Sequence, residues 1–356
     1  MSSERRLSLA REWDDLVDQV RAREGFADFL RPSPAPVPAG PVVVLNVSRW
    51  GCDALLVRPD RIEHLPLPGL TAAEVADRTD RYLRAVGGET VDEDELRDCL
   101  VWMWDSFAGP VLDRLAGAPR VWWCPTGALT LLPIHAAGRH DEPGASVLDR
   151  VISSYTPTVR ALRAGPPPTT PGKLLFVGQA DALPSVDRER ETLRALLPDS
   201  VFLDGDRATR AAVFDQLAGH SWAHFSCHGV QNLDDPASGG LVLADGIATV
   251  AEFGERAYRG ELAFLAGCQT AVGGRVLPDE AITLAAALHH AGFRHVVATM
   301  WTVRDATVAR VTRQFYRWLL HDGCPPAAAL HDAVRGLRAR HPRSPSAWTP
   351  FAHTGP

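Results

Sequence analysis

The chain has 356 residues, of which 46% are hydrophobic and 22% charged, as in a globular protein with a sizeable core. Its 37 basic and 43 acidic residues give a net charge of −6, which argues against nucleic acid as the main partner because phosphate binding needs a basic surface. Since no apolar run approaches the roughly 18 residues of a membrane span and the N-terminus lacks an apolar signal core, neither a membrane protein nor an exported one is indicated.

The six cysteines are scattered along the chain and form no CxxC pair. Their density is too low for a secreted domain held together by disulfides. The pattern therefore predicts reduced thiols in a cytoplasmic protein, most of them small core residues. Their positions are Cys52, Cys99, Cys124, Cys227, Cys268 and Cys324.

The first half of the chain predicts a helix, a linker and then a mixed region. Apolar residues at helical spacing indicate a helix over Leu7–Arg23, and the proline-rich stretch Arg31–Gly40 cannot continue it. We therefore place an N-terminal helix and linker in residues 1–40 and an α+β region in residues 41–165. The predicted elements of that region are the strands Val42–Ser48, Cys52–Arg58, Arg120–Cys124 and Val151–Tyr155, the first two as a hairpin, and the helices Ala72–Val86 and Glu95–Leu115.

A second break, Gly165–Gly172, opens a region of short apolar strands that alternate with helices. This alternation predicts an α/β fold over residues 166–356, with a mostly parallel sheet sandwiched by helices. The predicted strands are Lys173–Val177, Val201–Leu203, Trp222–Ser226, Glu261–Leu265 and His295–Met300. The predicted helices are Asp187–Leu197, Arg207–Leu217, Glu280–Ala291, Ala306–Leu320 and Pro325–Arg340.

Two of these strands end in reactive side chains. Strand Trp222–Ser226 leads into His228, and strand Glu261–Leu265 leads into Cys268. Ligands of open α/β sheets bind outside the carboxyl ends of strands, so neighbouring strands would bring the two side chains within about 3–6 Å. An imidazole at that distance converts a thiol into the nucleophilic thiolate, and the adjacent glycines would let backbone N–H groups approach an oxyanion closely.

The residues around both strand ends carry a family resemblance. The segments HFSCHG, LAFLAGCQTA and LPDEAITLAAALHHAGFRHVVATMWTVRD, together with the weaker WWCPTGALTLLPIHAAG and AWTPFAHTGP, resemble the CHAT family of caspase-like peptidases. This family belongs to the clan of caspases, metacaspases, gingipains and separases. The resemblance implies a caspase-like fold, a pseudo-protease-like role for residues 41–165, and endopeptidase activity that requires no cofactor. One departure is Gln269, where the commonest family form has an acidic residue.

The resemblance also assigns the site residues. It implies that His228 is the general base, that Cys268 is the nucleophile, and that the backbone of Gly229 and Cys268 forms the oxyanion hole. The segment Trp301–Asp305 resembles the separase loop whose acidic side chain receives a basic P1 residue, so Asp305 would favour substrates with Arg or Lys. An alternative for Asp305 is a helix N-cap, since Asp is a preferred cap and a helix is predicted to follow at once.

Several nearby residues have two interpretations. Asp279 and Glu280 either cap the next helix or help to order the loop after Cys268. The polar loop Gln231–Gly240 would border the substrate cleft and order when peptide binds. Cys227 alternates away from His228 and is expected in the core. Zinc is disfavoured, because His224 and His228 lie about 13 Å apart along a strand.

Two functions remain open from the sequence. The first is a regulated cysteine endopeptidase that cleaves a protein substrate after Arg or Lys and is controlled by an activating protein or a fused repeat module. The second is a catalytically silent CHAT-like module that binds partners. A nucleotide-binding fold is disfavoured, because Val177–Gln179 lacks the GxGxxG spacing of a phosphate loop.

Overall fold

The computed structural model describes residues 3–27, 29–30, 39–88, 90–162, 172–179, 185–232, 234–267 and 283–356. The chain divides into two units, Met1–Pro36 and Val37–Pro356. The first contains helix α1 (Ser3–Arg21), which begins four residues earlier than predicted. Its predicted apolar stripe is largely exposed, with Leu9, Trp13 and Leu16 between 48% and 58% accessible.

The second unit is built on strands. In the described residues these are β1 (Val42–Ser48), β2 (Gly51–Val57), β3 (Ile62–Pro66), β4 (Arg120–Pro125), β5 (Ile152–Tyr155), β6 (Leu174–Gly178), β7 (Val201–Asp204), β8 (Trp222–Ser226), β9 (Gly229–Val230), β10 (Gly240–Leu243), β11 (Gly246–Thr249), β12 (Gly260–Leu265), β13 (Phe293–Thr299) and β14 (Phe351–Thr354). Eleven of them form one sheet in the order β3-β2-β1-β4-β5-β14-β13-β12-β8-β6-β7, and β11-β10-β9 form a small second sheet.

Helices cover the large sheet on both faces, as the α/β prediction requires. Within the same described ranges they are α2 (Ala72–Gly87), α3 (Glu93–Met103), α4 (Gly109–Arg114), α5 (Val147–Arg150), α6 (Ser185–Leu196), α7 (Arg210–Leu217), α8 (Val250–Gly254), α9 (Leu284–His290), α10 (Asp305–His321) and α11 (Pro326–Arg340). The predicted helix Glu95–Leu115 is interrupted by a π-helical segment, Trp104–Ala108. No helix in the described part of the chain is long and apolar enough to cross a bilayer.

The strands β7, β6, β8, β12 and β13 run parallel to one another and form the layer predicted from their continuous apolar sequence. Alternate side chains pack on opposite faces. On one face Phe264 contacts Phe315 of α10, with ring centroids 5.2 Å apart. On the other, Phe225 meets Phe253 of α8 at 6.1 Å. The core therefore lies in two layers, one on each side of the sheet.

The N-terminal region continues the same sheet. The hairpin of β1 and β2 pairs Val42 with Val57, as predicted, and β3 extends it by one strand that the sequence analysis did not identify. Strand β14, also missed, lies antiparallel to β13 and parallel to β5. It thereby joins two sets of strands into one sheet, an N-terminal set (β1–β5) and a C-terminal set (β6, β7, β8, β12 and β13). The predicted boundary near residue 165 lies outside the described residues.

Candidate active site

The strands that lead to His228 and Cys268 are direct neighbours. β8 and β12 are parallel, with Phe225 opposite Leu265, and the N–H of Ala266 donates to the carbonyl of Phe225 at 2.8 Å. Their carboxyl ends therefore lie at the same edge of the sheet, as the predicted pairing requires. Cys268 itself lies outside the described residues, so its distance to His228 stays a prediction.

Gly267, the residue directly before Cys268, packs on the backbone that carries His228. A Cβ atom at Gly267 would lie well inside van der Waals distance of the carbonyl oxygen of Cys227 and 3.2 Å from the nitrogen of Gly229. The close approach therefore requires glycine at this position. The chain immediately before Cys268 and the chain on both sides of His228 are in backbone contact.

A small sheet fixes the backbone of His228. The carbonyl of His228 accepts a hydrogen bond from the N–H of Val242 at 2.9 Å, and β9, which starts at Gly229, pairs with β10. The His228 side chain is half-buried, and its imidazole makes no hydrogen bond to another described residue. The backbone of His228 is therefore fixed by hydrogen bonds, while its imidazole ring is only partly buried.

The predicted cleft loop after His228 is a turn between β9 and β10. The Asn232 side-chain oxygen accepts from the N–H groups of Asp234 and Asp235, both at 3.1 Å, and the Ser238 hydroxyl donates to the Asp235 carbonyl at 2.8 Å. Residue 233 lies outside the described residues. The observed loop ends one residue before the predicted one, because Gly240 already belongs to β10.

Thr299 is a candidate positioning residue that the sequence analysis missed. It is the last residue of β13, only 1% exposed, and its hydroxyl donates to the carbonyl of Gly267 at 2.6 Å. The bond connects the end of β13 to the peptide unit that enters Cys268. The sequence feature that could have identified Thr299 is a polar residue at the end of an apolar strand. That strand was predicted in the same sheet as the strand that precedes Cys268.

Cys227 is a core residue, as predicted. Its side chain is fully buried, and burial raises the pKa of its thiol to about 12. A thiol with that pKa is not a thiolate near neutral pH and is a poor nucleophile. The neighbouring residues Cys227 and His228 therefore have opposite environments, and only His228 reaches the surface.

His224 is likewise a core residue. Its Nε2 lies 2.9 Å from a carboxylate oxygen of Glu189 and its Nδ1 lies 3.2 Å from the hydroxyl of Tyr316. The ring stacks between Phe176 and Phe264, with centroid distances of 5.6 and 4.9 Å. Among the described residues no group of three His, Cys, Asp or Glu side chains is placed to hold a metal ion.

The predicted specificity residue lies at the start of α10. Asp305 is the first residue of that helix, Arg304 occupies the N-cap position, and the Asp305 side chain is not described. The preceding loop is anchored by Trp301, which is 1% exposed and packs edge-on against Tyr82 at 5.9 Å. Gln269, Asp279 and Glu280 lie outside the described residues.

Other histidines have structural partners. The two ring nitrogens of His289 lie 3.0 and 3.1 Å from the carbonyls of Phe293 and Ala161. His295 is buried against His353 at 3.1 Å, and burial lowers the pKa of His295 to about 3. Neither is at the edge that carries His228.

Comparison with known families decides the classification. The family model described as the CHAT domain matches residues 97–356, well over half of the chain. The chain belongs to the CHAT domain family. No curated protein matches this CHAT chain in a search of curated sequences.

Solved structures support the same fold. The CHAT chain is similar to the separase of a Saccharomyces cerevisiae separase–securin complex, with a TM-score of 0.63, 9% identity, and coverage of 88% of this chain and 30% of that one. A second structure of that complex matches with a TM-score of 0.62 and 8% identity. The match covers 96% of this chain and 31% of that one. The Arg-specific cysteine proteinase gingipain R matches with a TM-score of 0.49 and 11% identity. The match covers 90% of this chain and 78% of that one.

The similarity to the separase structures establishes a caspase-like α/β fold for this CHAT chain, with a large mostly parallel sheet between helices. The chain spans about a third of the length of the separases it matches. At such low identity the similarity concerns the fold alone.

Proposed function

We propose that this CHAT protein is a regulated cysteine endopeptidase with Cys268 as nucleophile and His228 as general base. The observation that carries the proposal is the packing of Gly267 on the backbone of Cys227 and Gly229, between parallel neighbours β8 and β12. This packing supports a nucleophile and a base that leave the sheet side by side. The half-buried imidazole of His228 supports the role of a base that substrate can reach.

In the proposed reaction His228 takes the proton of the Cys268 thiol, and the thiolate attacks the carbonyl carbon of the scissile peptide bond. The backbone N–H groups of Gly229 and Cys268 stabilise the oxyanion of the tetrahedral intermediate. His228 then gives its proton to the leaving amine, and an acyl-enzyme forms. Water, deprotonated by His228, hydrolyses the thioester and restores the thiol.

The proposed substrate is a protein cleaved after Arg or Lys, with Asp305 in the S1 pocket. The chain segments after β8, β12 and β13 follow three adjacent strands, and they carry His228, Cys268 and Asp305 respectively. Residues after adjacent parallel strands emerge at one edge of a sheet. The buried Trp301 supports a fixed position for the loop that precedes Asp305.

The proposed regulation is by an activating protein or a fused module, and the proposed location is the cytoplasm. The separase of the matched structures is in complex with securin, and it is about three times as long as the present chain. The described cysteines, including Cys52, Cys99 and Cys124, are free thiols, which supports a reducing compartment.

A covalent probe tests the proposed activity. A peptidyl acyloxymethyl ketone with Arg at P1 should label the wild-type protein and Cys227→Ala, while Cys268→Ala and His228→Ala remain unlabelled. Mass spectrometry of the labelled peptide should place the probe on Cys268. Absence of Cys268-dependent labelling, with and without cell extract as a source of activator, would instead favour the silent partner-binding module.

A fluorogenic panel with Arg, Lys, Asp or Leu at P1 tests the specificity. Asp305→Asn should lower kcat/KM for Arg and Lys substrates by at least 100-fold and leave the Leu substrate within threefold. Asp322→Asn, at the opposite end of α10, is the matched control and should change none of the four. Undiminished Arg cleavage by Asp305→Asn would rule out the pocket assignment.

A further inference from the structure

A groove of about 370 Å³ lies between α10 and α11. Helix α10 contributes Arg310, Arg313 and Gln314, and α11 contributes Gly336 and Arg340. The apolar side chains of Val311 and Leu337 and the indole of Trp318 also line the groove. It therefore combines an apolar floor with arginines from both helices.

The groove is locally basic on an acidic protein. Arg310, Arg313 and Arg340 are exposed, and none of them makes an ion pair with a described residue. Asp332 is the one acidic residue among those that line the groove in the described structure. Arg338 of α11 differs, because it forms an ion pair with Asp149. The whole chain has a net charge of −6, so the excess of positive charge in the groove is a local feature of this surface.

Gly336 leaves the middle of the groove open. It lies inside α11, is exposed, and a Cβ atom there would meet no described atom within 4 Å. Glycine inside a helix costs about 1 kcal/mol relative to alanine, and the packing of the described residues does not require it here. The position thus keeps room for the close approach of another chain.

We propose that this groove binds an acidic, partly apolar segment of a partner protein. Arginine pairs with carboxylates through two parallel hydrogen bonds, and the guanidinium groups of Arg310, Arg313 and Arg340 are available for that contact. Single exposed ion pairs contribute little, so several must act together. The ring of Trp318 and the apolar floor suit an apolar side chain between the carboxylates.

A protein segment fits better than a nucleic acid. A short acidic segment contacts the groove alone, whereas a long polyanion would also lie against the rest of a chain whose net charge is −6. The described residues that line the groove belong to α10 and α11 and do not include His228. The proposed binding therefore does not depend on the proposed peptidase activity.

Fluorescence anisotropy tests the proposal with the full chain carrying Cys268→Ala, so that no probe is cleaved. The probe is a fluorescein-labelled peptide of repeated Glu-Glu-Leu units, compared with Gln-Gln-Leu and Lys-Lys-Leu peptides and a 12-nucleotide single strand of DNA. The acidic peptide should bind at least tenfold more tightly than the others, and more weakly as NaCl rises from 50 to 300 mM.

Charge reversal on and off the groove separates site from net charge. Arg310→Glu, Arg313→Glu and Arg340→Glu together should weaken binding of the acidic peptide at least tenfold. The matched triple Arg84→Glu, Arg160→Glu and Arg259→Glu has the same net charge and should weaken it less than twofold. Gly336→Leu, which fills the groove without a change of charge, should weaken it about fivefold. Equal losses in the two triples, or tighter binding of the DNA strand, would overturn the proposal.

Discussion

Each set of parallel strands carries a cysteine and a histidine, and the two histidines lie in opposite environments. In the N-terminal set, Cys124 of β4 is buried, and burial raises the pKa of its thiol to about 11. His135 donates from Nε2 to the carbonyl of Thr349 and accepts at Nδ1 from the hydroxyl of Tyr155, both at 2.8 Å. In the C-terminal set, His228 is half-buried and its ring is not bonded to any described residue.

The difference shows that the surroundings of a histidine, and not its residue type, decide whether its ring is accessible. The His135 ring is enclosed, both its nitrogens are occupied, and burial lowers its pKa to about 4. It can neither reach substrate nor take up a proton readily. At His228 the backbone is fixed by β9 and β10 while the ring is left available, which is the arrangement that a general base needs.

The largest expected effect contrasts the two histidines. His228→Ala should lower kcat/KM of the activated enzyme on an Arg substrate by at least about 10³-fold, since general-base catalysis contributes that much. Its thermal unfolding midpoint should stay within 2 °C of wild type. His135→Ala should instead destabilise the protein by about 2–3 kcal/mol, because Thr349 and Tyr155 lose their partner. A folded His135→Ala protein that lacks Cys268 labelling would contradict the contrast.

The second effect concerns the glycine before Cys268. Gly267→Ala forces a Cβ atom against the carbonyl of Cys227 and should lower probe labelling of Cys268 by about 100-fold, with a stability loss of about 1–3 kcal/mol. Gly254→Ala, at the end of α8, meets no described atom within 4 Å and is the control. Wild-type labelling rates in Gly267→Ala would show that the close backbone contact is not needed.

The third prediction uses the enclosed histidine as a pH probe. The pKa of His135 is about 4 in the folded protein, below the 6.5 of an unfolded chain, so the unfolded state binds the proton more readily between these values. Stability should therefore be complete above pH 6.5 and fall as the pH approaches 4. The free energy of unfolding, measured with urea, should decrease between pH 7.5 and pH 4.5 by roughly 2 kcal/mol less in His135→Gln than in wild type. An unchanged pH dependence would refute the assignment.

The smallest effect concerns Thr299. Thr299→Val removes the hydroxyl that donates to the Gly267 carbonyl and should cost about 1–2 kcal/mol and lower kcat/KM five- to tenfold. Thr299→Ser keeps the hydroxyl and should retain most of the activity. If Val and Ser variants have equal kcat/KM at equal stability, the bond does not position the segment before Cys268.

The sequence predicted the strands whose physical signal is local. β1 and β8 have their predicted bounds, because continuous apolar or β-branched residues end at clear breaks. β9 could not be found, because two residues carry no periodicity, and it is stabilised only by pairing with β10. β14 contains a buried His353 whose partner, His295, is 58 residues away, so its strand character depends on tertiary contacts.

The candidate site was predicted in the same uneven way. The positions of His228 and Cys268 after two strands follow from the sequence, and the neighbouring register of β8 and β12 agrees with them. The contact of Gly267 with Cys227 and the hydrogen bond from Thr299 depend on how strands align in three dimensions. No local pattern contains that alignment.

The place of β14 in the sheet has a consequence for how the chain folds. Residues 351–354 pair with β13 and with Tyr155, about two hundred residues earlier, so the middle of the sheet is completed by distant segments. Such non-local pairing slows folding, because the loop must close before the contacts form. A nascent chain on the ribosome therefore holds two open sheet edges until β14 emerges. During that interval chaperones or aggregation can compete for those edges.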